Sequence, residues 1–359
     1  MDRNPRLDEA VAVFAELGWA DATYADAPTL PLGTPAQRRA ALAGLRAGDW
    51  DRYGHLWGRP PVADVDLSML WLFAVRVGVS ARRAVALYDL KLVPDLHDAA
   101  FAVLVERGPE FARTFVKNTN HDLSFSSLPV RLVDHYQLPV PQEPDYIGSW
   151  ALQVKAFADE GQRQHVVPVS EATLQGRYTE HVRIAFAAGL SGVGMFDQAL
   201  VIGVERGWAD RDEVIGLAVA ALDAASGTDR WGSLIRLDYL HVTDEELVAH
   251  TDALVPVLAG GAGPATDAFV VERLAPALIA GASDDMVADV ATAALTAPTK
   301  KALRVVLKAL EARPHPSAET VNVLGPQVTA LDTGRDRALA RSVQTIVDSW
   351  GITSAPRGD

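Results

Sequence analysis

The side chains able to do chemistry are scattered along the chain. Nine histidines occur, at positions 55, 97, 121, 135, 165, 181, 241, 250 and 315. No two have the H-E-x-x-H or H-x-H spacing that brings a pair of imidazoles onto one metal ion. The tightest polar cluster is Asp95, His97 and Asp98. Such a trio can ligate a cation, but at a helix start the same residues cap and solvate the first turn, which is the preferred reading. His121 and Asp122 fall in the stretch NTNHDLS, where Asp122 or Ser124 is placed to cap the next helix. Glu180 and His181 are adjacent, so on a helix they point about 100° apart and do not converge.

The glycine-rich stretch GLSGVG, Gly189 to Gly194, invites a phosphate-loop reading. It has neither the Lys-Ser/Thr that should follow nor the strand that should precede. GGAGP, Gly260 to Pro264, fails in the same way, and both read as helix ends and turns. Ser191 is no nucleophile elbow, because Val193 stands where the second glycine belongs. Glu245–Glu246 and Asp284–Asp285 fall at helix starts, where carboxylates interact well with the helix dipole; a catalytic pair is the secondary reading. Lys300, Arg304 and Lys308, with Lys301 beside them, make the compact basic stripe. It reads as a solvated face, with a docking site for an acidic partner as the alternative. The aromatic segment around Trp50, Tyr53, His55 and Trp57 is either a stacking platform for a ligand or a loop packed on the first helices; packing is preferred. Trp71, Trp150, Trp208, Trp231 and Trp350 are expected to fill gaps between helices. No catalytic, cofactor-binding or metal-ligating residue is therefore assigned, and no cofactor is expected.

Composition narrows the classes further. The chain has 359 residues, of which 33 are Lys or Arg and 46 are Asp or Glu, a formal net charge of -13. Phosphate backbones repel such a chain unless it has a local basic patch, which disfavours nucleic acid as a partner. There is no cysteine, so disulfides, zinc–thiolate sites and thiol nucleophiles are excluded. The N-terminal residues carry acidic groups where a signal peptide has a basic start, so no secretory signal is read. The longest charge-free apolar run, Ile184 to Phe196, is shorter than the ~20 residues that cross a bilayer. That run and Leu67 to Val79 are expected to be buried helices, with no membrane contact and a cytoplasmic location.

The elements that carry these residues read as helices throughout. In the first part, helices are expected at Leu7–Leu17, Pro35–Arg46, Leu67–Val77, Ala81–Leu90, Asp95–Arg107, Pro109–Lys117 and Ser126–Gln137. The proline-rich LPVPQEPDY, Leu138 to Tyr146, is the softest boundary. It separates an irregular helical region, 1–142, from a repeat region, 143–359, expected to continue it as one array. In the second part, Thr243 and Glu246 form a capping-box pair, and Leu247, Leu254, Val255 and Leu258 follow at helical spacing. Helix starts near Arg230, Pro264, Thr299 and Arg335 recur at roughly 34–36 residues, alternating with starts near Asp212, Asp244, Asp284 and Glu319. Two helices per period predict an all-α fold, an α-solenoid of stacked antiparallel helix pairs.

From Ala221 the residues ALDAASGTDRWGSLIRLDYLHVTDEELVAHTDALVPVLAGG, and later LTAPTKKALRVVLKALEARP, resemble a bacterial family of HEAT-like helical-repeat proteins, domain of unknown function 6493. Trp231, Leu234, Leu237, Leu240, Thr243, Glu245, Glu246 and Leu258 carry the resemblance, with Ala297 to Lys300 and Leu303 adding to it. It is strong over Asp212 to Gly351 and weaker before. The resemblance implies a helical scaffold beside bacterial ATPase and adhesion-domain systems, with no catalytic residues to transfer. The function expected is a non-catalytic scaffold that binds a protein partner along one face. The alternatives are a HEAT-like nucleic-acid-binding or DNA glycosylase-type protein, which needs a basic groove, and an enzyme with a pocket joining Trp50, Tyr53 and His55.

Overall fold

The computed structural model describes residues 5–46, 50, 65–87, 93–120, 126–159, 161, 166–190, 195–223, 227–313 and 315–352. All regular structure among them is helical, with no strand, so the all-α expectation holds. The chain divides into two compact units, Met1–Trp208 and Ala209–Asp359.

The first unit holds α1 (Pro5–Glu16), α2 (Pro35–Leu45), α3 (Leu67–Val77), α4 (Ala81–Ala86), α5 (Pro94–Glu106), α6 (Pro109–Lys117), α7 (Leu128–His135), α8 (Pro144–Ala158), α9 (Glu171–Gly176), α10 (Tyr178–Ala187) and α11 (Phe196–Glu205). Most starts follow from local chemistry. Thr34 caps α2 in a capping box with Gln37, the Asp66 carboxylate takes the first free N–H groups of α3, and Ser80 caps α4. Proline opens α5, α6 and α8, where its missing N–H costs nothing.

Helix α3 is apolar on all sides and buried on all sides, the signature of a central element. Phe73 on it meets Phe14 edge-on at 5.6 Å and Trp19 at 5.0 Å. Arg76, the charge that interrupts this apolar run, donates to the carbonyls of Ala27 and Leu30 at 2.9 and 2.7 Å and pairs with Glu106. The other apolar run behaves differently from expectation. Ile184 to Phe196 is not one buried helix: α10 ends at Ala187, Gly189 turns the chain with φ +65°, and α11 begins at Phe196. A glycine in the left-handed region ends a helix at little cost, whatever the hydropathy around it.

The second unit holds α12 (Arg211–Ala220), α13 (Gly227–Tyr239), α14 (Asp244–Ala249), α15 (Thr251–Leu258), α16 (Pro264–Gly281), α17 (Asp284–Ala294), α18 (Lys300–Glu311), α19 (Ala318–Thr329) and α20 (Arg337–Trp350). Its helices pack in two rows, with α14 also packed on α16. One row runs α13, α16, α18, α20; the other runs α12, α15, α17, α19, and α16 and α17 join the rows. Thr243 and Glu246 form the expected capping box, each receiving the other's backbone N–H, at 3.2 and 2.8 Å. Replacing Thr243 by alanine is expected to cost about 1 kcal/mol, measured by urea unfolding. The helix they open is not continuous to Leu258. His250 interrupts it, and the Thr251 hydroxyl donates to the Val248 carbonyl at 2.6 Å.

One device recurs in both units. The last carbonyls of a helix lack intrahelical partners. Here a side chain from the end of another helix supplies them. Arg107, ending α5, donates to Val75 and Val79 at the end of α3. Tyr136, ending α7, donates to Val105 of α5 at 2.7 Å. In the second unit Arg313, just past α18, donates to Ile279 and Ala282 at the end of α16, at 2.7 and 2.9 Å, and pairs with Asp284 at the start of α17. Trp350, ending α20, donates to the Arg313 carbonyl at 2.9 Å. Direct packing with linked C-termini points each such pair the same way, α3 with α5, α5 with α7, α16 with α18 and α18 with α20. Positive charge at a helix C-terminus also suits the macrodipole.

Candidate functional site

The polar centre of the first unit is built by two helices. On α8, Tyr146, Trp150 and Gln153 recur at helical spacing and are fully buried. On α10, His181 sits one turn after Arg177. The ring of His181 stacks on Trp150 at 4.9 Å between centroids, 14° from parallel. Its Nδ1 lies 2.8 Å from the Arg177 carbonyl and its Nε2 2.9 Å from the Tyr146 hydroxyl. Burial, more than anything else, pulls its pKa from 6.5 to about 4, so the imidazole is neutral. Burial likewise pushes the hydroxyls of Tyr146 and Tyr178 upward. No substrate reaches atoms so enclosed, and this centre has no catalytic reading. Glu180 turns away from His181, as adjacency requires. It is exposed and takes both bonds of the Arg177 guanidinium at 2.8 Å, which holds its carboxyl below the usual range.

The other predicted clusters come apart or serve the fold. His97 is buried in α5, while Asp98 is exposed and pairs with Arg131 at 2.9 Å. Among the described residues no group of three or more His, Asp or Glu is arranged to hold a metal ion. His121, Asp122 and Ser124, Ser191 to Gly194, and Tyr53, His55 and Trp57 lie outside the described residues. Trp50 itself is buried and donates its indole N–H to Leu45 at 2.8 Å, a packing role. GGAGP does cradle an anion, but that anion is the chain's own. The N–H groups of Gly261, Ala262 and Gly263 donate to the Asp267 carboxylate at 3.1, 3.0 and 3.2 Å, and buried Arg230 lies 3.4 Å away. Trp231 corrects a prediction. It fills no gap between helices but is 45% exposed, stacked on Phe269 at 4.2 Å. A small cleft lined by Leu234, Leu237, Leu247 and Leu274 with Asp238 and Arg273 has space for no more than a water molecule.

The second unit separates its charges between the two rows. In the row of α13, α16, α18 and α20, successive helices are joined by ion pairs: Asp238–Arg273, Glu272–Lys301 and Arg304–Asp336. The basic stripe is therefore half consumed within the fold. Lys301 and Arg304 are paired, while Lys300 and Lys308 stay exposed without an ion pair among the described residues. Arg304 holds the Asp336 carboxyl below its usual range.

The helices of the other row, α12, α15, α17 and α19, contain one basic residue, Arg211. It is bound to Glu246 and to the carbonyls of Leu240 and His241, and its bond holds the Glu246 pKa at about 2. Asp252, Asp285, Asp289 and Glu319 are exposed there with no cation paired to them among the described residues. Glu245 and Asp285 favour their helix starts as predicted. Asp289, in mid-helix, has no such role. Sequence reading missed this separation because the charges only sort once alternate helices are assigned to rows.

Comparison with protein-family models, curated proteins and solved structures finds no match to this chain. Among the described residues no helix is long and apolar enough to cross a membrane.

Proposed function

We propose that this chain is a non-catalytic helical-repeat scaffold, HEAT-like in plan, that binds a protein partner in the cytoplasm. The observation that carries this reading is the row of α12, α15, α17 and α19. It exposes four carboxylates with no cation paired to them among the described residues, and its single arginine is already engaged. A surface of one sign attracts a partner of the other, so the partner presents a Lys- and Arg-rich segment. The two-row packing of α12 to α20 and the resemblance to domain of unknown function 6493 support the same reading. A nucleic-acid-binding alternative is disfavoured, since Arg273, Lys301 and Arg304 are neutralised by carboxylates of neighbouring helices.

The test uses the tagged full chain and a triple variant, Asp252→Lys, Asp285→Lys and Asp289→Lys, each incubated with extract of the host. Recovered proteins are compared by mass spectrometry at low and moderate salt. The wild type is expected to retain a basic partner at low salt and release it as salt rises, since exposed charges are screened beyond ~8–10 Å. The variant is expected to recover at least tenfold less. Equal recovery by both proteins removes the acidic row as the binding surface, and an empty capture at low salt removes the scaffold reading.

A further inference from the structure

We propose that the Met1–Trp208 unit contains an acid-sensitive latch, in which a proton taken up at His181 Nε2 breaks the bond to Tyr146 and releases α10 from α8. The geometry fixes the neutral tautomer. A carbonyl oxygen only accepts, so the 2.8 Å contact to Arg177 places the ring proton on Nδ1. Nε2 is then bare and accepts the Tyr146 O–H at 2.9 Å. A second proton, taken from solvent, makes Nε2 a donor facing a donor. The Tyr146 hydroxyl has to turn its hydrogen away, and among the described residues it makes no other hydrogen bond.

The surroundings offer the new charge little compensation. Helix α8 contributes the rings of Tyr146 and Trp150, and α11 contributes Phe196 behind Trp150; none is charged. Arg177 is positive and is held in place on the carbonyls of Val133 and Leu138. Glu180 is committed to Arg177, and Asp134 on α7 accepts from the Thr173 hydroxyl at 3.1 Å. Stacking an imidazolium on Trp150 is favourable, yet less so than the hydration the cation gives up. These groups link α7, α8 and α10, so an uncompensated charge at their centre acts on all three contacts.

The sign follows from where the proton binds. The opened or unfolded chain takes it near pH 6.5, the closed form only near 4. Between these values the open state binds more protons, so closure weakens as pH falls and is fully penalised below about 4.

Hydrogen exchange of the full chain, corrected for intrinsic rates, tests this from pH 7 to 4. Protection of peptides from α10 is expected to fall at least tenfold between pH 6.5 and 4.5, with peptides of the Ala209–Asp359 unit as the internal control. Tyr146→Phe removes the donor that opposes protonation, so the closed ring takes its proton more readily, the gap to the open value narrows, and the acid-driven loss of α10 protection is expected to be smaller than in the wild type. His181→Gln keeps an acceptor for Tyr146 and cannot titrate, so its α10 protection is expected to stay level. Should that variant not fold, the His181 ring is followed by NMR in the wild type. Unchanged α10 protection down to pH 4, the same loss in His181→Gln, or a ring that titrates near 6.5 with α10 still protected each overturns the latch.

Discussion

Gly44→Ala is expected to destabilise the Met1–Trp208 unit by about 3 kcal/mol. Gly44 lies in α2 where α2 crosses α1. An added methyl carbon there meets the Arg6 carbonyl oxygen at 2.1 Å and the Ala10 methyl at 2.7 Å. The first obstacle is backbone, so no rotamer change relieves it and the two helices have to separate. The gain in helix propensity, up to about 1 kcal/mol, is too small to offset this. Gly216→Ala in α12 is the matching control. Its nearest neighbour, His250 Cε1, is 3.6 Å away, an ordinary contact, so propensity wins and the second unit gains stability. Urea unfolding of both variants checks the pair. Wild-type stability in Gly44→Ala removes the close α1–α2 crossing.

Arg313→Met is expected to cost the Ala209–Asp359 unit about 2–3 kcal/mol. The methionine fills similar volume but leaves the carbonyls of Ile279 and Ala282 without their donor and Asp284 without its cation. Half-buried acceptors that lose a charged donor bear much of their desolvation penalty. Arg313→Lys reaches fewer acceptors than the planar guanidinium and is expected to fall between the two. The readout is the urea midpoint at unchanged slope, which reports stability rather than a change in the unfolded state. A loss below about 0.5 kcal/mol in Arg313→Met means that water satisfies these carbonyls and the link contributes nothing.

The elements were legible where the signal is local. Thr34, Asp66, Ser80, Thr243, Thr299 and Ser317 cap the helices they precede, because a side-chain oxygen reaches the free N–H groups within three residues. Both apolar runs were recognised, but only Leu67–Val77 is one helix; hydropathy cannot report the backbone turn at Gly189. The interruption at His250 escaped for a similar reason, since Leu247, Leu254 and Leu258 keep their spacing across it. The candidate site was less legible. Asp285 and Asp289 look like many surface acids until the packing puts every unpaired cation elsewhere. Trp231 was assigned to packing by its residue type, yet only the position of Phe269 decides how much of its ring stays exposed.

The links at the helix ends bear on how such a chain can evolve. At each joint the acceptor is a main-chain carbonyl, which every amino acid supplies equally well. Arg107 is answered by Val75 and Val79, Arg313 by Ile279 and Ala282, and Trp350 by the carbonyl of Arg313 itself. Selection at a joint therefore constrains one donor rather than two matched side chains. Tyr136 and Trp350 show that even the donor's type can change. Lineages built on joints of this kind are free to drift far apart in sequence while the helices keep their places.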